Sequence, residues 1–194
     1  MLASIVYFTI VILTIRNLRT EFKYSLITAV LYSVWIISRY YLGYNTYDIV
    51  GDVLYETAGL IFLIGGISLS IREKKNKTGN GSISYGEALK TGFAVTVFSS
   101  LLIMVFTFIY YKFVNPDFFT IVMASTKQKL MDSDLSVAQR NTSIESMEKT
   151  FSIGMQMLQK FSLVMVGGLS LTLIIAWLLS EKELKNSQPV SHNA

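Results

Sequence analysis

The chain has 194 residues, of which 52% are hydrophobic and only 15% charged, with no cysteine and a mean hydropathy of +0.47. Soluble domains carry roughly 25% charged residues, so the charge here is either thin everywhere or confined to part of the chain. Four stretches, residues 24–42, 49–71, 87–113 and 157–180, hold 93 residues but only 7 of the 30 charged ones. The rest of the chain has an ordinary soluble charge content, and the four stretches have the composition of segments that enter hydrocarbon. The absence of cysteine excludes disulfides, thiolate zinc sites and iron–sulfur clusters, and the one histidine, His192, sits in a polar tail. The excess of positive charge, +4 with a pI near 9.2, collects at the ends of the apolar stretches. Retention in the cytoplasm explains it there without nucleic acid.

Residues 1–15 are apolar and free of charge, yet as a helix they reach only about 22 Å against a hydrocarbon core of about 30 Å. Arg16, Arg19 and Lys23 follow the run, the reverse of a secretory signal, and no cleavage is expected. A short extra membrane helix is the expectation, with an interfacial helix or the remnant of a longer segment as alternatives. The first full span runs from Tyr24 to Leu42 and ends in a Tyr cluster typical of a membrane interface. A short loop forces the second span, charge-free from Thr57 to Ile71, to return antiparallel before Arg72-Glu-Lys-Lys-Asn-Lys77 stops it.

A turn over 78–82 precedes Ser84-Tyr-Gly-Glu87, which has the form of a capping box: the Ser84 hydroxyl accepts from the Glu87 amide and the Glu87 carboxylate returns to Ser84. The third span is then free of charge from Thr91 to Tyr111, and Asn115-Pro116 restarts the chain, Asn as cap and Pro in the first turn. Residues 116–156 are polar enough for water but carry Phe118, Phe119, Val122, Leu130 and Met131, so two amphipathic helices are expected, broken at Asp132-Ser-Asp134. Ser136 and Gln139 form a second capping-box pattern. The apolar stripe after it, Val137, Ile144, Met147, Phe151, Met155 and Leu158, runs directly into the last span, charge-free from Phe161 to Ser180, and a disordered tail follows over 181–194.

The expected architecture is an all-α polytopic membrane bundle, with four spans, a candidate short N-terminal helix and an external amphipathic insertion over 116–156. Placing 16–23, 72–90 and 181–194 in the cytoplasm puts ten of the 17 Lys and Arg residues there. This orientation leaves the insertion outside and the C terminus inside, in the cytoplasmic membrane of a bacterium.

Two motifs carry a resemblance. Ile83-Ser-Tyr-Gly-Glu-Ala-Leu-Lys-Thr-Gly92 follows a Lys-rich Gly-Asn turn, and Tyr110-Tyr-Lys-Phe-Val-Asn-Pro-Asp-Phe118 follows a charge-free span. Together with Phe22-Lys-Tyr24, Tyr41-Leu-Gly43 and Ile71-Arg-Glu-Lys-Lys75, they resemble the bacterial integral membrane family catalogued as domain of unknown function 4199, over about residues 21–180. The resemblance implies four spans with an amphipathic insertion between the third and fourth. It supplies no activity, cofactor or catalytic residue to transfer.

Arg39 and Glu56 are the ionisable residues nearest the membrane interior, on consecutive antiparallel spans, and are expected to pair or to snorkel to the interface. The methionines of the second half suit soft Cu(I) only weakly without Cys or a nearby His, and they fill apolar helix faces equally well. Gly59, Gly65, Gly66 and Ser68, with Gly167, Gly168 and Ser170, are expected to let helices approach closely. No catalytic group, cofactor or metal site is expected. A non-enzymatic structural, accessory or interaction protein acting through the external segment is the leading expectation, with the lipid bilayer, a membrane-protein partner or a second copy as partners. The alternative is an oligomeric small-solute or ion transporter or channel.

Overall fold

A computed structural model describes residues 19–42, 49–77 and 81–180, with the side chains of 49–56 outside that description. The expected short N-terminal helix and the C-terminal tail lie outside the described residues. Among the described residues there are six α-helices: α1 (Thr20–Tyr41), α2 (Ile49–Lys77), α3 (Tyr85–Ile109), α4 (Phe118–Met131), α5 (Val137–Thr150) and α6 (Ile153–Leu179). A π-helical turn, Tyr110–Val114, extends α3. Among the described residues all regular structure is helical.

Among the described residues two helices, Tyr85–Val114 and Ile153–Leu179, are long and apolar enough to cross a membrane. Four spans are expected from the charge-free runs. The helices at the other two expected spans are more dilute, α1 through Ser25, Thr28, Ser33, Ser38 and Arg39, and α2 through the charged residues at its two ends.

Local chemistry sets several boundaries. Gly81 adopts a φ of +69°, a left-handed conformation that Gly enters without a Cβ penalty, and turns the chain toward α3. The Ser84 hydroxyl accepts from the Glu87 amide at 3.3 Å and starts that helix. At α5 both halves of a capping box form: Ser136 Oγ accepts from the Gln139 amide, and the Ser136 amide donates to Gln139 Oε1 at 3.0 Å. The uninterrupted helix expected from Ser136 into the last span does not form. The chain breaks at Phe151-Ser152, where Ser152 Oγ accepts from the Met155 amide at 3.2 Å and caps a new helix. A serine hydroxyl competes with the helical carbonyl for a main-chain amide, and the apolar stripe that crosses this point in sequence cannot register that competition.

Side-chain contacts give the helix directions. Gly66 lies against Thr28 and Gly59 against Tyr32, so α1 and α2 run antiparallel. Gly92 faces Thr172 and Gly168 faces Thr96, so α3 and α6 do likewise. Ser25 Oγ donates to the Val95 carbonyl at 3.2 Å, tying α1 to α3. Leu63, Ile67, Ile71, Val95, Ile103 and Val164 fill the centre. Between them lie buried hydroxyls of Ser25, Thr28, Thr91, Thr96, Ser100, Thr107 and Thr172. Several of these donate to carbonyls of their own helix, Thr91 to Glu87 and Thr107 to Ile103, both at 2.8 Å, which satisfies the hydroxyl without disturbing the packing.

The outer surface of these helices is the reverse. Ile27, Val30, Leu31 and Val34 of α1, Ile61, Ile64 and Leu69 of α2, Phe93, Leu101 and Val105 of α3, and Val166, Ile174, Trp177 and Leu178 of α6 are all exposed. Large apolar residues thus cover the outward faces as well as part of the interior, where they share the space with Gly, Ser and Thr.

Candidate functional site

At one end of the bundle, where α1 begins and α2 ends, charged residues interlock. The first turn of α1 supplies Thr20, Glu21, Lys23 and Tyr24; the last turn of α2 supplies Glu73, Lys74 and Lys77. Glu73 lies at the centre. Its Oε2 accepts from the Lys23 ammonium and from the Tyr24 hydroxyl at 2.8 Å, while its Oε1 accepts from Lys77 at 2.7 Å and from the Thr20 hydroxyl at 3.3 Å. Lys74 donates to Glu21 alongside. The Lys23 ammonium also stands 4.5 Å from the centroid of the Tyr24 ring, within cation–π range.

The electrostatics follow from this geometry. Burial by itself would raise the Glu73 carboxyl, but the bonds from Lys23, Lys77 and Tyr24 outweigh it and bring its pKa down from 4.5 to about 2. Glu21 is also lowered, its partial burial being outweighed by the bond from Lys74. The two ammonium groups and the Tyr24 hydroxyl thus favour the ionised form of Glu73. It fastens two helix ends and is contacted by two ammonium groups, so the clasp keeps a surplus of positive charge.

A second cluster marks the opposite end of α3. The π-turn carries the buried Tyr110 and Tyr111, and the Asn115 amide nitrogen donates to the Tyr110 carbonyl at 2.9 Å, a five-residue step. Asn115 does not cap α4 as expected. Its side-chain Nδ2 turns back and donates to the Tyr110 hydroxyl at 3.3 Å, while Asp117 occupies the N-cap position without a side-chain bond. Tyr111 packs on Phe118 and Phe119 with ring centroids 5.1 and 4.8 Å apart. The aromatic stack joins the first turn of α4 to the bundle. π-Helical turns are rare and frequently occur at functional sites.

From this junction α4 and α5 form a hairpin. Lys127 of α4 pairs with Glu148 of α5 at 2.9 Å, and Arg140 donates to the Ser133 carbonyl at 3.0 Å across the turn. Val122 is buried at 1% exposure, whereas α5 buries no residue. Ile121, Met131 and Val137 remain exposed.

Arg39 lies in the last turn of α1 and is partly buried. Glu56 lies in α2, but its side chain is outside the described residues, and the expected Arg39–Glu56 pair falls there with it. Gly59, Gly66 and Gly168 sit at close helix approaches, whereas a Cβ at Gly65 would meet nothing within 4 Å. Among the described residues no group of three or more His, Cys, Asp and Glu side chains is placed to hold a metal ion.

The clasp was not visible as a site in the sequence, where Lys23, Lys74 and Lys77 read as cytoplasmic charge. The signal that reveals it is complementary charge at the ends of two helices that pack antiparallel: Glu21 and Lys23 on one, Glu73 and Lys74 on the other.

The family model described as "Protein of unknown function (DUF4199)" matches residues 23–181. No curated protein and no solved structure matches.

Proposed function

The chain belongs to the DUF4199 family, and from that premise we propose that it is a non-enzymatic membrane protein, with α1, α2, α3 and α6 as four spans. It acts as an accessory or interaction protein through the hairpin α4–α5. The observation that carries the reading is the inverted bundle. A water-soluble helix places polar residues outward, whereas here the exposed faces of all four helices are Ile, Val, Leu, Phe and Trp. Interfaces between membrane helices are enriched in Gly, Ser and Thr, which allow close approach and supply interhelical hydrogen bonds. Gly66 against Thr28 and Gly168 against Thr96 have that character. This supports membrane placement for α1 and α2 as well, despite their more dilute composition.

The hairpin follows α3 at the end remote from the clasp. With the clasp end, rich in Lys and Arg, in the cytoplasm, the hairpin lies on the outer side of a bacterial cytoplasmic membrane. Its attachment through the aromatic junction, together with an α5 that buries no residue, leaves surface for a partner or for the membrane face. The transporter alternative has less support, because Thr28, Thr96 and Thr172 fill glycine-lined contacts and Thr91 and Thr107 bond main-chain carbonyls, which leaves, among the described residues, the buried Ser70 and Ser99 as the hydroxyls without a partner.

The test is crosslinking followed by purification in mild detergent, comparing the full chain with a variant in which residues 117–152 are replaced by a short Gly-Ser linker. Loss of specific crosslinked partners from an otherwise integral protein is expected. An unchanged set of partners would overturn the role of the hairpin, and solute flux in proteoliposomes would favour the transporter.

A further inference from the structure

We propose that the clasp end of the bundle binds anionic phospholipid headgroups of the leaflet it faces. This rests on the reading of the helices as membrane spans and adds a ligand at one end of them. Residues 19–23 and 72–77, brought together by the clasp, carry Arg19, Lys23, Arg72, Lys74, Lys75 and Lys77 against only Glu21 and Glu73. Both carboxylates are occupied: Glu21 by Lys74, and Glu73 by Lys23 and Lys77 together. The clasp therefore satisfies its anions internally and leaves net positive charge on its rim, where Arg19 and Arg72 are exposed and Lys77 is 60% exposed.

The other end of the molecule has no such surplus. Residues 112–150 balance Lys112, Lys127, Lys129, Arg140 and Lys149 against Asp117, Asp132, Asp134, Glu145 and Glu148. The asymmetry is one of net charge, not only of basic residue count.

Two features favour a lipid over a soluble anion. The basic rim directly adjoins exposed apolar surface: Leu69 lies one turn before Arg72 and Glu73 on α2. On α6, Ile174, Trp177 and Leu178 are exposed at the same end, because Thr172 of α6 lies level with Gly92 near the start of α3. A phosphodiester head with acyl chains meets both surfaces, whereas free phosphate meets only the cations. Basic clusters at the cytoplasmic edge of membrane helices attract anionic lipid in this way.

Trp177 is placed to report the contact. The chain has two tryptophans, so Trp35→Phe leaves Trp177 as the only one. The full-length W35F protein is reconstituted in vesicles in which either the phosphatidylglycerol or the phosphatidylcholine carries brominated chains, and quenching gives the lipid composition next to Trp177. Enrichment of phosphatidylglycerol over the bulk by about fivefold or more at low salt is expected, declining as salt screens the charges. Adding R19Q and R72Q, which leaves the Glu21 and Glu73 ion pairs in place, should remove most of the enrichment. Adding K112Q and K129Q, an equal loss of charge at the other end, should retain it. Equal quenching by the two lipids would overturn the proposal, as would loss of the enrichment on adding millimolar inorganic phosphate at constant ionic strength. Release of the protein from the vesicles by alkaline carbonate would overturn the membrane reading as well. Retention without enrichment would overturn the lipid site alone.

Discussion

The hydroxyls of Thr96 and Thr172 lie 3.2 Å apart, buried between α3 and α6. Each belongs to a contact that only glycine permits: Gly92 faces Thr172, and Gly168 faces Thr96. A Cβ added at Gly92 would stand 2.6 Å from Thr172 Cγ2, and one at Gly168 would stand 2.5 Å from Thr96 Cγ2 and 2.8 Å from Leu63 Cδ2. Relieving these distances requires buried, β-branched threonine side chains or the helices that carry them to shift. Gly92→Ala and Gly168→Ala should each destabilise the bundle by about 1–3 kcal/mol, the usual cost of overpacking. Gly65→Ala, where a Cβ meets nothing within 4 Å, should leave stability unchanged or raise it by up to about 1 kcal/mol through helix propensity. Thermal unfolding in detergent distinguishes the sites, and equal effects at Gly65 and Gly168 would contradict this packing.

Glu73 makes the clasp sensitive to acid. Its folded pKa, about 2, is below the ordinary 4.5, so folding favours the ionised form. The resulting stabilisation is fully present above pH 4.5 and is lost as pH falls toward about 2. Glu21, also lowered, contributes in the same direction. Glu73→Gln should therefore destabilise the protein at neutral pH and flatten the fall in stability below pH 4.5. Unfolding midpoints measured in parallel for the two proteins from pH 7 to pH 2.5 give the comparison. Identical pH profiles would show that the clasp does not couple Glu73 ionisation to folding.

The helical class, the turn before Ser84 and the hairpin turn near Asp132 were legible because each leaves a local mark: a charge-free run, a capping pattern or a cluster of turn residues. The clasp was not, since pairing Glu73 with Lys23 requires the register of two antiparallel helices, which no single segment encodes. The π-turn was hidden for a different reason. Asn115-Pro116 has the chemistry of a helix start, and only the packed Tyr110 ring draws the asparagine side chain backward. Ser152 shows the limit of periodicity: the apolar stripe continues through it, and the break is made by one hydroxyl.

The junction should fail in two separable ways. Tyr110 and Asn115 are 7% and 6% exposed, so removing the Tyr110 hydroxyl leaves the Asn115 amide in a buried site without that acceptor. Tyr110→Phe should cost about 1–3 kcal/mol. Tyr111→Ala removes the ring that stacks on Phe118 and Phe119, a loss on the scale of about 3–5 kcal/mol for a large aromatic side chain. Because that stack fastens α4, its loss should expose the hairpin to limited proteolysis before the bundle unfolds. Simultaneous loss of hairpin and bundle would mean that the junction is not a boundary between them.

The absence of cysteine makes the topology directly testable. Asn76, near the end of α2, and Gln128, in α4, are both exposed and are separated in the chain by α3. If α3 crosses the bilayer, single cysteines at these positions lie on opposite sides of it. With Lys74, Lys75 and Lys77 beside Asn76, the retention of basic segments in the cytoplasm places Asn76 inside. A membrane-impermeant maleimide should label Gln128→Cys in intact cells and label Asn76→Cys only after permeabilisation. Labelling of both in intact cells would remove α3 as a span. The reversed pattern would preserve the span but invert the orientation, moving the hairpin into the cytoplasm and the basic clasp to the outer leaflet.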